Sequence, residues 1–287
     1  MTRILVIGAT GYIGRTLLAR AGGLARGTSS TPTEGLLHLQ LGAPLAFDYS
    51  QIDDADTVLM TAAISAPDVC AREKDRAWNI NVTGTSAFIE RAMHRGARII
   101  FFSSDTVYGD QATPFTESGN ANPAGEYAEM KAAVENLFRS ERNFKSARLS
   151  YVFSRNDKFT SYLRNCWNRE EIAEVFHPFF RSVVHRDDVI SGALSLADRW
   201  AQTPEWLINF GGPQTVSRVD FAKALRDTCL PDLGFVVTEP EATFFHNRPR
   251  CIAMQSPIFA KLLGRAPRGL REAAQFEFPD LQPPEPL

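Results

Sequence analysis

The chain reads as an α/β protein built on a doubly wound parallel sheet, with a smaller α/β region towards its C-terminal end. Three observations predict this. Strand-like and helix-like segments alternate through the first half, the strand-like ones are short continuous apolar runs, and the first of them leads straight into three evenly spaced glycines. A continuous apolar run suits a strand covered on both faces, as in a parallel sheet flanked by helices.

The elements follow in order. "ILVIG" (Ile4 to Gly8) is the first strand, and Ile13, Leu17, Leu18 and Ala21 then recur at helical spacing. "GLARGT" (Gly23 to Thr28) is read as the second strand and "APLAFD" (Ala43 to Asp48) as the third. "TVLMTAA" (Thr57 to Ala63) is the fourth, followed by one long helical pattern from Ala77 to Gly96. "ARIIFFSS" (Ala97 to Ser104) is the fifth, Glu126 to Glu141 a helix of good helix formers, and "SARLSYVF" (Ser146 to Phe153) the sixth strand. Beyond it, Phe159, Tyr162, Leu163 and Trp167 share a helix face, and His177 to Val189 gives an aromatic stretch and a short strand. Ser191 to Trp200 is a helix, "EWLINFGG" (Glu205 to Gly212) a strand, and Ser217 to Cys229 a helix opened by a serine cap. The proline-rich end, Phe278 to Leu287, is expected to lie extended on the surface. The expected division is 1–153 as a dinucleotide-binding domain, with 183–212 returning to it, and 154–182 plus 213–287 as a smaller substrate-binding region.

Composition removes several function classes. With 287 residues, 44% apolar and 22% charged, the chain can bury a substantial core. No apolar run approaches the ~18 residues of a membrane span, and the N-terminus reads as mature protein rather than a signal peptide. A net charge of −2 without a basic block argues against nucleic-acid binding. Cys70, Cys166, Cys229 and Cys251 are far apart, which suits reduced thiols in a cytoplasm, and the scattered histidines support no metal site.

Gly8, Gly11 and Gly14 stand at the first strand-to-helix junction. There Gly8 can turn tightly, Gly11 admits a ligand to the backbone and Gly14 lets helix pack on sheet. The helix N-terminus offers free N–H groups and a positive dipole end to a pyrophosphate, with Tyr12 and Ile13 on the same turn. A Rossmann-like dinucleotide site is therefore expected. The second strand ends in "ARGTSST", without an acid to accept the ribose hydroxyls of NAD; Thr28 and Ser29, with Arg26 nearby, favour NADP over NAD. Asp48, closing the expected third strand, is placed beside the cofactor as well.

"YAEMK" sets Tyr127 and Lys131 one helical turn apart. An ammonium so close favours phenolate, and bringing a phenol of pKa ~10 near neutrality takes about 4 kcal/mol. Such a tyrosine could exchange a proton with a carbonyl or alcohol. Ser104 ends the fifth strand, where parallel strands open onto the ligand crevice, and could bond the same oxygen. The loop from Gly109 to Glu126 is expected to border the substrate and to order when it binds.

"GATGYIG", "NVTGT", "FFSSDTVYG" and "YAEMK", with "ARLSYVF", "VVHRDDV", "INFGG" and "NRPR", together resemble the extended short-chain dehydrogenase/reductase family over nearly the whole chain. The resemblance implies a catalytic trio of Ser104, Tyr127 and Lys131, with Lys131 also holding the cofactor ribose. It implies supporting roles for Asn81, Gly84 and Thr85, and an Ala62–Ala63 pair lining the cofactor. Ser-Asp in "SSDTVYG" is similar to the dTDP-4-dehydrorhamnose reductase branch. That likeness implies a nucleotide-linked 4-keto-6-deoxysugar as substrate, Asp105 and Tyr151 beside the sugar, and Arg248 at the diphosphate. "AEM" inside Y-x-x-x-K and the "VVHRDD" segment depart from that branch. Three readings stay open: a reductase, a nucleotide-sugar epimerase on the same fold, and a non-catalytic NAD(P)-binding regulatory subunit. A homodimer is one assembly open to any of them.

Overall fold

A computed structural model describes residues 3–54 and 56–279. Seven strands form the main sheet: β1 (Arg3–Ile7), β2 (Ala25–Ser29), β3 (Leu37–His38), β4 (Asp56–Met60), β5 (Arg98–Ser104), β7 (Phe144–Leu149) and β12 (Leu207–Phe210). All neighbours are parallel, in the order β12-β7-β5-β4-β1-β2-β3. The order therefore reverses between β1 and β4, and a ligand crevice opens at that point beyond the strands' carboxyl ends. The helices are α1 (Gly14–Ala21), α2 (Pro67–Arg72), α3 (Lys74–Trp78), α4 (Thr85–His94), α5 (Glu126–Phe138), α6 (Lys158–Asn168), α7 (Arg186–Asp198), α8 (Arg218–Thr228), α9 (Pro257–Leu263) and α10 (Leu270–Glu277).

The apolar runs are explained by their two faces. Leu5, Ile7, Val58, Met60, Ile99 and Phe101 pack with Phe88, Ile89, Met130 and Val134 from α4 and α5. Their alternates Ile4, Val6, Leu59, Ile100 and Phe102 pack with Leu17 of α1 and Val189, Ala193 and Leu196 of α7. A third core joins Phe153, Phe159, Leu163, Phe221, Leu225, Leu270 and Ala274, drawing α6, α8 and α10 together. The remaining strands are β6 (Gln111–Phe115), β8 (Val152–Phe153), β9 (Ala173–Phe176), β10 (Phe180–Arg181), β11 (Val184–His185), β13 (Val216–Ser217), β14 (Phe235–Thr238) and β15 (Cys251–Met254). They form a four-stranded sheet, β13-β10-β15-β6, and two pairs, β11-β8 and β14-β9.

Three expectations about elements are corrected. The third strand is Leu37–His38, not Ala43–Asp48; Pro44 opens a 3₁₀ turn there, and Phe47 turns inward to meet Phe88 at 5.7 Å. The helix expected from Ala77 to Gly96 is interrupted by a π-helical stretch, Asn79–Gly84. Gly84 allows this, since a Cβ there would stand 1.5 Å from the Leu41 carbonyl oxygen, so only glycine lets the chain after β3 lie against the helix. The segment from Gly109 to Glu126 is not a free loop. Its Gln111–Phe115 stretch is strand β6, and the Asp110 carboxylate accepts the N–H groups of Arg250 and Cys251 at 3.1 and 2.9 Å. Ser217 caps α8 in a reciprocal box with Asp220. Most of the proline-rich end lies outside the described residues.

Candidate active site

A cleft of about 660 Å³ opens where the sheet order reverses. Of the residues expected at a dinucleotide, Gly8, Gly11, Tyr12, Ile13, Gly14, Thr28, Ala62, Ala63 and Lys131 line it, and so does Tyr127. The glycines make the cradle. Gly8 has φ +85°, and a Cβ on it would stand 2.8 Å from the Ala62 Cβ; one on Gly14 would stand 2.2 Å from the Gly8 carbonyl oxygen. Thr28 Oγ1 accepts the Gly8 N–H at 3.2 Å, tying the turn to β2. Asn81 braces the opposite wall by accepting the Ile64 N–H at 2.8 Å and donating to the Ile64 carbonyl at 2.9 Å. Bare backbone beside a helix N-terminus, in a cleft of this volume, fits a dinucleotide.

The far end of the cleft differs from expectation. Ser29 does not face it; its hydroxyl accepts from the Thr31 N–H and the Thr33 hydroxyl at 3.2 and 3.1 Å. Arg26 is not available to a phosphate, because its guanidinium grips both oxygens of Asp56 at 3.0 and 2.8 Å. Asp48 is exposed and caps a 3₁₀ turn through Ser50, away from the cleft. Ser30, Leu39, Gln40 and Leu41 occupy the wall instead. Ser30 belongs to the run of neutral donors expected there, whereas Leu39, Gln40 and Leu41 were missed because the sequence placed the third strand too late. No carboxylate lines the cleft among the described residues.

Tyr127 and Lys131 lie on one face of α5, but not in the electrostatic relation the spacing suggests. Lys131 Nζ donates to the Phe102 carbonyl at 2.7 Å and lies 4.4 Å from the Phe101 ring centre and 5.8 Å from that of Tyr127. Burial lowers the Lys131 ammonium to about 8, against a partial opposing pull from Glu135. Burial likewise raises the Tyr127 phenol above its ordinary value, with Cys70 and Asp105 adding to the rise. The expected acidic phenol is thus a protonated one, since desolvation dominates and the charges acting on it add to the rise.

Ser104 ends β5 but is turned from the cleft wall. Its hydroxyl donates to Asp105 Oδ1 at 3.3 Å and accepts from Thr106 N–H and Oγ1 at 3.3 and 2.9 Å. Ser103 is the β5 serine on the wall, and its buried Oγ has no hydrogen-bond partner among the described residues. Asp105 does not border open space. It is buried, bonded by Ser150 Oγ at 3.0 Å and paired with Arg181 at 3.7 Å, and burial raises its carboxyl above the usual range.

Tyr151 lines a small recess with Phe159, Phe179, Arg181 and Arg218, while its hydroxyl donates to Asp157. Arg218 lies over the Phe159 and Phe179 rings at 4.7 and 4.8 Å; burial weakens its hold on the proton, and the nearby Arg181 and Arg248 weaken it further. Arg248 reaches across to α2 and pairs with Asp68 at 2.6 Å. Neither Arg181 nor Arg218 was singled out from sequence, because their convergence depends on strands and helices far apart in the chain. Among the described residues no group of acids, histidines and cysteines could hold a metal, and no helix is long and apolar enough to cross a membrane.

Comparison with known proteins accords with this architecture. The chain is 24% identical over 243 residues to methionine adenosyltransferase 2 subunit beta of Rattus norvegicus, covering 78% of this chain and 71% of the relative. It is 25% identical over 249 residues to dTDP-4-dehydrorhamnose reductase of Aggregatibacter actinomycetemcomitans, covering 79% of each. The solved structure of MoeE5 with UDP-glucuronic acid and NAD superposes with a TM-score of 0.75 at 21% identity, covering 94% of this chain and 96% of that one. The family model described as RmlD substrate binding domain matches residues 1–275, and the chain belongs to that family, as the extended short-chain dehydrogenase/reductase resemblance implied.

Proposed function

We propose that the protein is an NAD(P)H-dependent reductase of a nucleotide-activated keto-sugar of the 4-keto-6-deoxy type. The observation that carries this reading is that one cleft holds both the glycine cradle and the Tyr127–Lys131 face of α5. A dinucleotide seated by Gly8, Gly11 and Gly14 would supply hydride chemistry at the carbonyl carbon. Tyr127 supplies the proton to the carbonyl oxygen, and a phenol that burial keeps protonated is the form this direction requires. Lys131 steadies the negative charge that grows on Tyr127 as the proton leaves. Ser104 joins them by turning its hydroxyl proton from Asp105 to the carbonyl oxygen. Arg218 and Arg248 hold the diphosphate, to which a guanidinium fork is suited. The neutral Thr28 and Ser30 neither repel nor strongly attract a 2′-phosphate, so the site takes NADP as well as NAD, the cofactor named in the MoeE5 structure.

Replacing Tyr127 by Phe tests the assignment. Turnover should fall about 10²- to 10⁴-fold, the range for a lost general acid, while NADH binding, followed by its fluorescence, stays unchanged. Unchanged turnover would remove Tyr127 from the chemistry. The likeness to a methionine adenosyltransferase subunit supports a second reading, a dinucleotide-binding accessory subunit. Under that reading no keto-sugar is turned over by either form.

A further inference from the structure

Residues 239–250 connect β14 to β15. Their backbone is well held. Phe244 packs on Phe176 and Phe179 with ring centres at 5.1 and 5.8 Å, and Asp110 anchors the Arg250 and Cys251 N–H groups. Beside them Gly125, at φ +87°, leaves room for Asn247: a Cβ there would stand 2.8 Å from the Asn247 Cα. The segment is therefore seated directly ahead of the helix that carries Tyr127.

The Arg248 side chain reaches out from this anchored strap. It lies over Phe244 at 4.8 Å and ends on Asp68 of α2, three residues after Ser65 of the cofactor cleft. The pair joins positions 180 residues apart, and its two halves are unlike: the Arg248 side chain is 21% exposed and that of Asp68 67%. Arg218 is close enough for its charge and that of Arg248 to oppose each other. The Asp68 carboxylate is hydrogen-bonded to the Arg248 guanidinium, a group that a phosphate suits as well.

We propose that Asp68 is an internal stand-in for substrate phosphate, occupying Arg248 in the ligand-free protein and yielding it to the incoming diphosphate. The inference rests on the reading of Arg248 as a diphosphate contact. Carboxylate and phosphate oxygens suit the same guanidinium fork, and an exposed carboxylate forms a weak pair that a more highly charged ligand displaces easily. Once displaced, Asp68 returns to water at little cost. Its effect is to set the affinity for the nucleotide end without touching the reacting sugar.

The test is calorimetric titration of the full chain with UDP and with dTDP. Asp68→Asn should bind the preferred nucleotide roughly two- to fivefold tighter than wild type, the factor an exposed ion pair is worth. Arg248→Ala should bind it more weakly, and adding Asp68→Asn to that variant should change nothing further. An Asp68→Asn variant that binds no tighter overturns the proposal, as does equal tightening with Arg248 already removed. Either outcome leaves the diphosphate role of Arg248 intact. Wild-type protein that binds neither nucleotide, or an Arg248→Ala variant that binds as wild type does, removes that role and this proposal together.

Discussion

Lys131 carries the most charge-sensitive duty in the proposed site. It is 3% exposed, bonded to one backbone carbonyl and set against an aromatic face, and this environment holds its ammonium near 8. Below that value Lys131 is a cation able to offset the charge left on Tyr127; above it, Lys131 is neutral. Tyr127, raised above an ordinary phenol, stays protonated across the same range and so limits nothing there. The pH profile of kcat/KM for keto-sugar reduction reports the free protein's groups, and it should be level up to about 8 and fall beyond. A rate that instead climbs through 8 would mean that a deprotonated group drives the step. The sequence made the Tyr127–Lys131 pairing legible but not its electrostatics. Spacing fixes which side chains share a helix face, whereas the balance between desolvation and attraction depends on what packs around them.

Among the elements, the turn between β1 and α1 admits the least variation. Gly14 Cβ would stand 2.2 Å from a backbone oxygen, so Gly14→Ala forces either the helix or the turn to move. We expect about 2 kcal/mol of lost stability, seen as a lower Tm, together with loss of NADH binding measured by fluorescence. A variant with native Tm and native binding would show that the close approach is not required. This turn was readable in advance because a positive-φ glycine and a packing glycine leave a mark at fixed spacing. The far wall left no such mark. Leu39, Gln40 and Leu41 are placed by a two-residue strand and by the contact of Gly84 with Leu41, neither of which has a local pattern. That is why Asp48 was expected where Gln40 stands.

At the scale of the whole molecule, the parallel sheet was legible because strands buried on both faces must be apolar throughout. What joins distant parts was not. Glu135 on α5 and Arg148 on β7 form a buried pair at 2.5 Å; Arg148 lies over the Tyr108 ring at 4.3 Å, and the Tyr108 hydroxyl donates to Asn209 of β12 at 2.7 Å. This chain of contacts fixes the helix of Tyr127 against the sheet, and the Asp68–Arg248 bridge joins α2 to the segment between β14 and β15. Each contact depends on topology rather than on neighbouring residues, so no window of sequence contains it. The fold thereby brings the glycine turn and the Tyr127–Lys131 face of α5 to one cleft.

The most direct measurement of this arrangement's purpose is to give the purified protein a nucleotide-linked 4-keto-6-deoxysugar with NADH or NADPH. The nicotinamide absorbance band and the sugar product are then followed together. The account predicts one nicotinamide oxidised for each keto group reduced. Sugar isomerised while the band stays constant, or no change in either, would contradict it.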